Sequence, residues 1–202
     1  MLEFASRGTN EKAQLSKRIC GNIKSGNTRV IERLIYYMSE LPQEHPISQM
    51  FDNNPILVPA PRSTPMVEGA HWPTRILSEH LVNSGFGNSV QNLIERISPV
   101  PKSSNFYTAE SRPSCNTHYD SLLCTPPEAF VEKIILVDDV FTLVRTSCAC
   151  ARRLKETYPN SEVLVFAAMR TRGFITTLDE IVKPSYHIMV YNSEQDSIIL
   201  PN

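Results

Sequence analysis

The stretch that most constrains this chain lies between residues 133 and 169. An apolar run, KIILV (133–137), leads through a helical pattern, TSCACARRLKETY (146–158), to a second apolar run, EVLVFAAM (162–169). Near-continuous apolar strands joined by a helix predict parallel strands in a sheet buried on both faces. The expected class is therefore α/β, a mostly parallel twisted sheet flanked by helices.

The rest of the chain adds elements to that unit. NTRVIERLIYYMSEL predicts a helix capped by Asn27 or Thr28, with Ile31, Leu34, Ile35 and Met38 on one face. Residues 11–20 predict a shorter helix, interrupted by Gly21 and Gly26. PILVPAPRS (55–63) predicts a short strand ending in prolines. PTRILSEHLVNSG (73–85) predicts a helix with Pro73 in its first turn and Gly85 beyond its end, with Ile76, Leu77, His80 and Leu81 inward. A last strand is expected at 186–191. Residues 98–130 show no periodicity and are rich in Pro, Ser and Thr, which predicts a functional lid or binding loop. We expect a single domain over 1–202, with a helical N-terminal element (1–50), a core (55–170) and the flexible loop (98–130).

At 202 residues the chain is long enough to bury a core without disulfides, and its five cysteines show no zinc-like spacing. Reduced thiols are expected. The formal net charge of −1 signals no global attraction to nucleic acid or membrane. MLEFASRGTNEK lacks the order of a signal peptide, and no apolar run reaches membrane-spanning length, so a soluble, cytoplasmic protein is expected.

The apolar run at 133–137 ends in Asp138 and Asp139. In an open parallel sheet, ligands bind beyond the carboxyl ends of the strands. Carboxylates there accept hydrogen bonds from a sugar diol or help to hold hydrated Mg²⁺, while the following helix start offers N–H groups to an anion. A phosphoacceptor receiver domain also has an acidic pair after an apolar strand, but too little chain follows Asp139 for the units it still needs. A Walker B strand requires a GxxxxGK[ST] loop, and none of the seven glycines precedes a lysine. GFG (85–87) lacks the third glycine of a dinucleotide fingerprint.

ILVDDVFT resembles the phosphoribosyl pyrophosphate (PRPP) signature of type I phosphoribosyltransferases. LVPAPRS resembles that family's short pyrophosphate loop. HWPTRILSEHL and SEVLVFAAMRT are similar to its competence-protein-F-like (ComF-like) branch. The resemblance covers about residues 55–170. It implies the type I fold with a small hood built from the chain ends. It also implies ribose hydroxyls on Asp138 and Asp139, and a 5′-phosphate on Thr142, Leu143, Val144, Arg145 and Thr146. Pyrophosphate would lie on Ala60, Pro61, Arg62 and Ser63. A flexible loop bearing Ser103, Ser104, Arg112 and His118 would close over the ligand, with Lys102 also in reach. Mg²⁺ would be held by ligand and water near Asp138 and Asp139, with no direct protein ligand. Helix capping is the plainer role for Thr142 and Thr146. Trp72 is expected to anchor the helix that follows it, and His80 to be a core histidine.

The chain departs from the family pattern at the phosphate loop. Where the family continues with a hydroxyl residue, glycine and small residues, this sequence has Leu143, Val144 and Arg145. Val144 stands in the glycine's place, and a β-branched residue resists the torsions glycine permits. Two functions follow. One is a Mg²⁺-dependent phosphoribosyltransferase binding a small sugar phosphate or nucleotide. The other is a non-catalytic relative, acting as ligand sensor or as interaction subunit of a larger DNA-uptake or defence-related complex, with a protein partner or homodimer possible. Direct nucleic-acid binding is not indicated.

Overall fold

The computed structural model describes residues 2–102, 105–106, 108–126, 130–173 and 175–199. Along the chain run β1 (Leu2–Phe4), α1 (Glu11–Lys24), α2 (Thr28–Ser39), α3 (Pro46–Met50), β2 (Ile56–Pro59), α4 (Pro73–Asn83), β3 (Ser89–Val90) and β4 (Ile94–Arg96). They are followed by α5 (Cys115–Asp120), β5 (Leu122–Cys124), β6 (Lys133–Phe141), α6 (Arg145–Thr157), β7 (Glu162–Thr171), β8 (Val190–Asn192) and β9 (Ser197–Ile199). The main sheet has five strands in the order β1-β7-β6-β2-β3, all neighbours parallel. The chain is thus α/β, with helices on both faces of a parallel sheet.

Strand periodicity explains the two-sided core. On β6, Ile134 and Leu136 pack with Cys148, Ala149 and Leu154 of α6. Ile135 and Val137 point to the opposite face, among Cys20, Ile31, Leu34 and Leu77 of α1, α2 and α4. All four β6 side chains are fully buried. Truncating Ile134, Ile135 or Leu136 to alanine costs roughly 2–5 kcal/mol, because the rigid strand cannot collapse into the space.

Several elements match the pattern read from the residues. α2 starts at the Asn27 cap and buries Ile31, Leu34, Ile35 and Met38. α1, by contrast, runs through Gly21, whose missing side chain meets nothing within 4 Å. It stops just before Gly26, at φ 66°, where a Cβ would sit 2.7 Å from Ile76 Cδ1. α4 turns a different face inward than expected, burying Thr74, Leu77, Ser78 and Leu81, while Ile76 and His80 are half-buried. The reason is polar: Thr74 Oγ1 donates to the Ala60 carbonyl at 2.7 Å, and Ser78 Oγ to the Thr74 carbonyl at 2.8 Å.

Three expectations are corrected. The interval 98–130 contains α5 and β5, and β5 pairs antiparallel with β4. The strand expected at 186–191 is confined to β8, in a hairpin with β9 outside the main sheet. The N-terminal element is not purely helical, because β1 forms an edge of the main sheet beside β7. All five cysteines are free thiols. Among the described residues, no helix is long and apolar enough to cross a membrane.

Candidate functional site

β6 continues as strand through both acidic residues, so their side chains alternate. Asp138 keeps the phase of Leu136 and turns toward α6, where Ser147 Oγ donates to its Oδ2. Its Oδ1 accepts the Asp139 amide at 2.8 Å. Asp139 keeps the phase of Val137, toward α1, and its Oδ1 accepts the Val140 amide at 2.7 Å. The carboxyl groups therefore approach a ligand from two sides of the strand. Enclosure raises the Asp138 carboxyl, and the Asp139 charge raises it further, to about 7.

Both acids line a cleft of about 630 Å³ at the carboxyl ends of β2, β6 and β7. Thr142 to Thr146 form one wall. Val144 sits at φ 59°, ψ 8°, in the left-handed region, as the N-cap of α6. This is the backbone conformation a glycine would adopt freely, reached here by a β-branched residue at a strain of roughly 1–3 kcal/mol. The Val144 side chain is 5% exposed, so burial offsets the strain. No side chain caps α6, whereas Asn10 and Asn27 cap α1 and α2. Among the described residues no capping bond from Thr142 or Thr146 to α6 is seen. Thr142 Oγ1 instead meets Thr171 Oγ1 at 3.1 Å, and Thr146 Oγ1 meets His118 Nε2 at 3.3 Å. The N-terminal amides of α6 are left without a side-chain partner, which suits an anion.

Arg145 does not serve the wall as a free charge. Its Nη1 donates to the carbonyls of Ala109, Arg112 and Pro113 at 3.0, 2.9 and 3.3 Å, tying the 109–113 segment to the start of α6.

Ala60, Pro61, Arg62 and Ser63 form the next wall. Ala60 continues the β2–β6 pairing, its amide donating to Val137 at 2.8 Å. Its carbonyl accepts Trp72 Nε1 at 2.9 Å, so Trp72 does anchor the helix start. The Arg62 carbonyl accepts Arg96 Nε at 2.6 Å, and the Ser63 carbonyl accepts the Val100 amide at 2.7 Å.

Arg112 and His118 also reach the cleft, His118 from a buried position on α5 rather than from a loop. Lys102 is exposed and lies outside the cleft lining. Ser103 and Ser104 lie outside the described residues. The structure adds Arg96, Ser147, Arg7 and Lys24 to the lining. Arg96 had a signal in the sequence: it shares the two-residue phase of buried Ile94, an unusual place for an arginine. Arg7 and Lys24 come from β1–α1 and could be found only by knowing that β1 joins the sheet.

Among the described residues no three His, Cys, Asp or Glu side chains converge as a metal site. No protein-family model matches the chain, and no curated protein matches it.

Proposed function

We propose that this cleft binds a sugar phosphate of the PRPP class together with Mg²⁺, and that the chain transfers the phosphoribosyl group with release of pyrophosphate. The carrying observation is the convergence on one cleft of an acidic pair, an uncapped helix N-terminus with a left-handed residue before it, and the 60–63 loop. On this reading the fold is of the type I phosphoribosyltransferase kind. Residues near Ala5 and Ala13, packed against Leu178, are then the hood built from the chain ends.

Asp138 and Asp139 would accept hydrogen bonds from the ribose hydroxyls. The α6 amides and Thr146 would surround the 5′-phosphate, and Arg62 would face the leaving pyrophosphate. A divalent cation fits the donor set as an ion held by ligand oxygens and water beside the two acids, where it would neutralise pyrophosphate charge. Catalysis by these residues is positioning and charge stabilisation of an oxocarbenium-like state at the anomeric carbon.

A second reading, ligand binding without transfer in a sensor or an interaction subunit, draws on Arg145. Its Nη1 is committed to three backbone carbonyls, so the loop's one guanidinium compensates poorly for the replaced glycine.

Calorimetric titration of PRPP with Mg²⁺ tests the site. Wild type should bind, Asp138→Asn/Asp139→Asn should abolish the heat, and Val144→Gly should bind roughly tenfold or more tightly if the strain hinders the cradle. Absence of binding in every variant would sink the proposal. Binding without pyrophosphate release on any acceptor base would select the second reading.

A further inference from the structure

Three buried side-chain nitrogens among the described residues lack a hydrogen-bond partner: Arg96 Nη2, Arg112 Nε and His118 Nδ1. All three residues line the same cleft. Arg96 and His118 are each 3% exposed. A buried donor left unsatisfied is costly, and a buried guanidinium more so. Two guanidinium donors and one imidazole nitrogen thus belong to residues of a single cleft, and an acceptor there would satisfy all three once the imidazole is protonated.

Each residue is held in place by its remaining polar atoms. Arg96 spends Nε on the Arg62 carbonyl and Nη1 on Ser121 Oγ, and Ser121 Oγ in turn donates to the His118 carbonyl. His118 meets Thr146 through Nε2. Arg112 is fixed through its carbonyl by Arg145. What stays open is a set of nitrogens suited to oxygens carrying negative charge.

The geometry points to a phosphoryl-oxyanion subsite formed by Arg96, Arg112 and His118, in which the anion is bound together with a proton taken up by His118. It rests on the proposed function in taking the cleft as a sugar-phosphate site, and extends it by assigning this wall and its proton. The charges facing His118 explain the linkage. Arg96 from β4 and Arg145 from α6 act on the imidazole, while Arg112, from the segment before α5, and the acids Asp138 and Asp139 of β6 line the same cleft. Cys150 of α6, near Arg96, has its thiol pushed up by burial and stays uncharged. Cys115, on the same helix as His118, is engaged by Cys148 and Arg152. Burial first, then Arg96 and Arg145, hold the empty His118 down at about 4. A tetrahedral anion between the arginines cancels their repulsion and offers Nδ1 an acceptor, so the protonated imidazole becomes favourable. Because the proton is bound below the raised value, binding strengthens as pH falls.

The His118 ring signals are to be followed by NMR on the full chain between pH 3.5 and 8, a range that includes its ligand-free midpoint near 4. The samples carry sodium sulfate, sodium chloride at matched ionic strength, or PRPP. Sulfate is a tetrahedral dianion that does not itself titrate in this range. The expected result is an upward move of the His118 midpoint by about one unit with sulfate, equivalent to about tenfold tighter binding to the protonated form. A move with PRPP alone also supports the subsite, and shows that the anion must arrive attached to the sugar. His118→Gln should then remove the pH dependence of anion affinity below about pH 6, leaving the part near 7 that belongs to Asp138. Cleft resonances that respond to either anion while the His118 midpoint stays put would overturn the inference. So would an absence of any response at this wall. If PRPP still binds by calorimetry in either case, the proposed function stands and only this subsite falls.

Discussion

At the residue scale, Val144 and Asp138 carry opposing effects that can be separated. For Val144→Gly, relief of left-handed strain gains roughly 1–3 kcal/mol. Loss of the buried valine side chain forfeits about 1.5–3 kcal/mol, and glycine adds unfolded-state entropy. Thermal unfolding should therefore show little change or a small loss of stability, while ligand affinity rises. A large stabilisation would mean that the strain outweighs the packing. Asp138 gives a pH signature. Its carboxyl lies at about 7 in the folded chain against an ordinary carboxylate value near 3.8. A folded-state value raised in this way contributes stability that is complete below the ordinary value and disappears as pH rises through about 7. Because His118, held at about 4, contributes the opposite slope up to its ordinary value near 6.5, the ligand-free melting temperature should fall most clearly between about pH 6 and 7. Asp138→Asn should flatten that slope and melt higher than wild type at pH 8.

At the scale of elements, Arg145 acts as a latch between α6 and the segment leading to α5. Arg145→Ala removes its donors from the carbonyls of Ala109, Arg112 and Pro113, so hydrogen exchange across 108–114 should quicken while the interior of α6 keeps its protection. Equal exchange of this segment in wild type and Arg145→Ala would show that it is held by other contacts. The same element shows what could be read from the chain. The apolar runs of β6 and β7 and the one-faced pattern of α2 were legible because burial alone dictates them. The acidic pair and the loop 142–146 were legible as one site because they follow β6 without interruption, and the positive φ of Val144 was the condition under which its side chain mattered. What stayed hidden depends on tertiary partners. α5 has only six residues, too few for a periodic signal, and is stabilised by packing on α6. β1 and β3 have three and two residues and exist only through pairing with β7 and β2. α4 showed its apolar residues correctly but not its rotation, which the hydroxyl contacts of Thr74 to the 60–63 loop decide.

At the scale of the whole molecule, a chain with net charge −1 concentrates positive charge at one place. Arg7, Lys24, Arg62, Arg96, Arg112 and Arg145 line a cleft whose acids are Asp138 and Asp139. Low-dielectric walls focus such a field on an anion. The β1 side of this arrangement depends on the chain ends meeting. Asn10 performs two tasks there. Its Oδ1 caps α1 by accepting the Ala13 amide at 3.1 Å. The same side chain pairs with Leu178 in both directions, Nδ2 donating to the carbonyl at 2.9 Å and Oδ1 accepting the amide at 3.1 Å. A lost cap costs about 1 kcal/mol, and each part-buried hydrogen bond contributes about 1 kcal/mol net. Asn10→Ala should therefore lose about 3 kcal/mol, and for a chain of this size each kcal/mol lowers the melting temperature by about 2–4 °C. Asn10→Ser restores a capping oxygen without reaching Leu178, so it should recover about a third of the loss. Full recovery with serine would mean that the cap alone mattered. Equal losses in the two variants would mean that closure of the chain ends carries the stability. In that case the edge strand β1, and with it the Phe4–Arg7 wall of the cleft, should also lose hydrogen-exchange protection first.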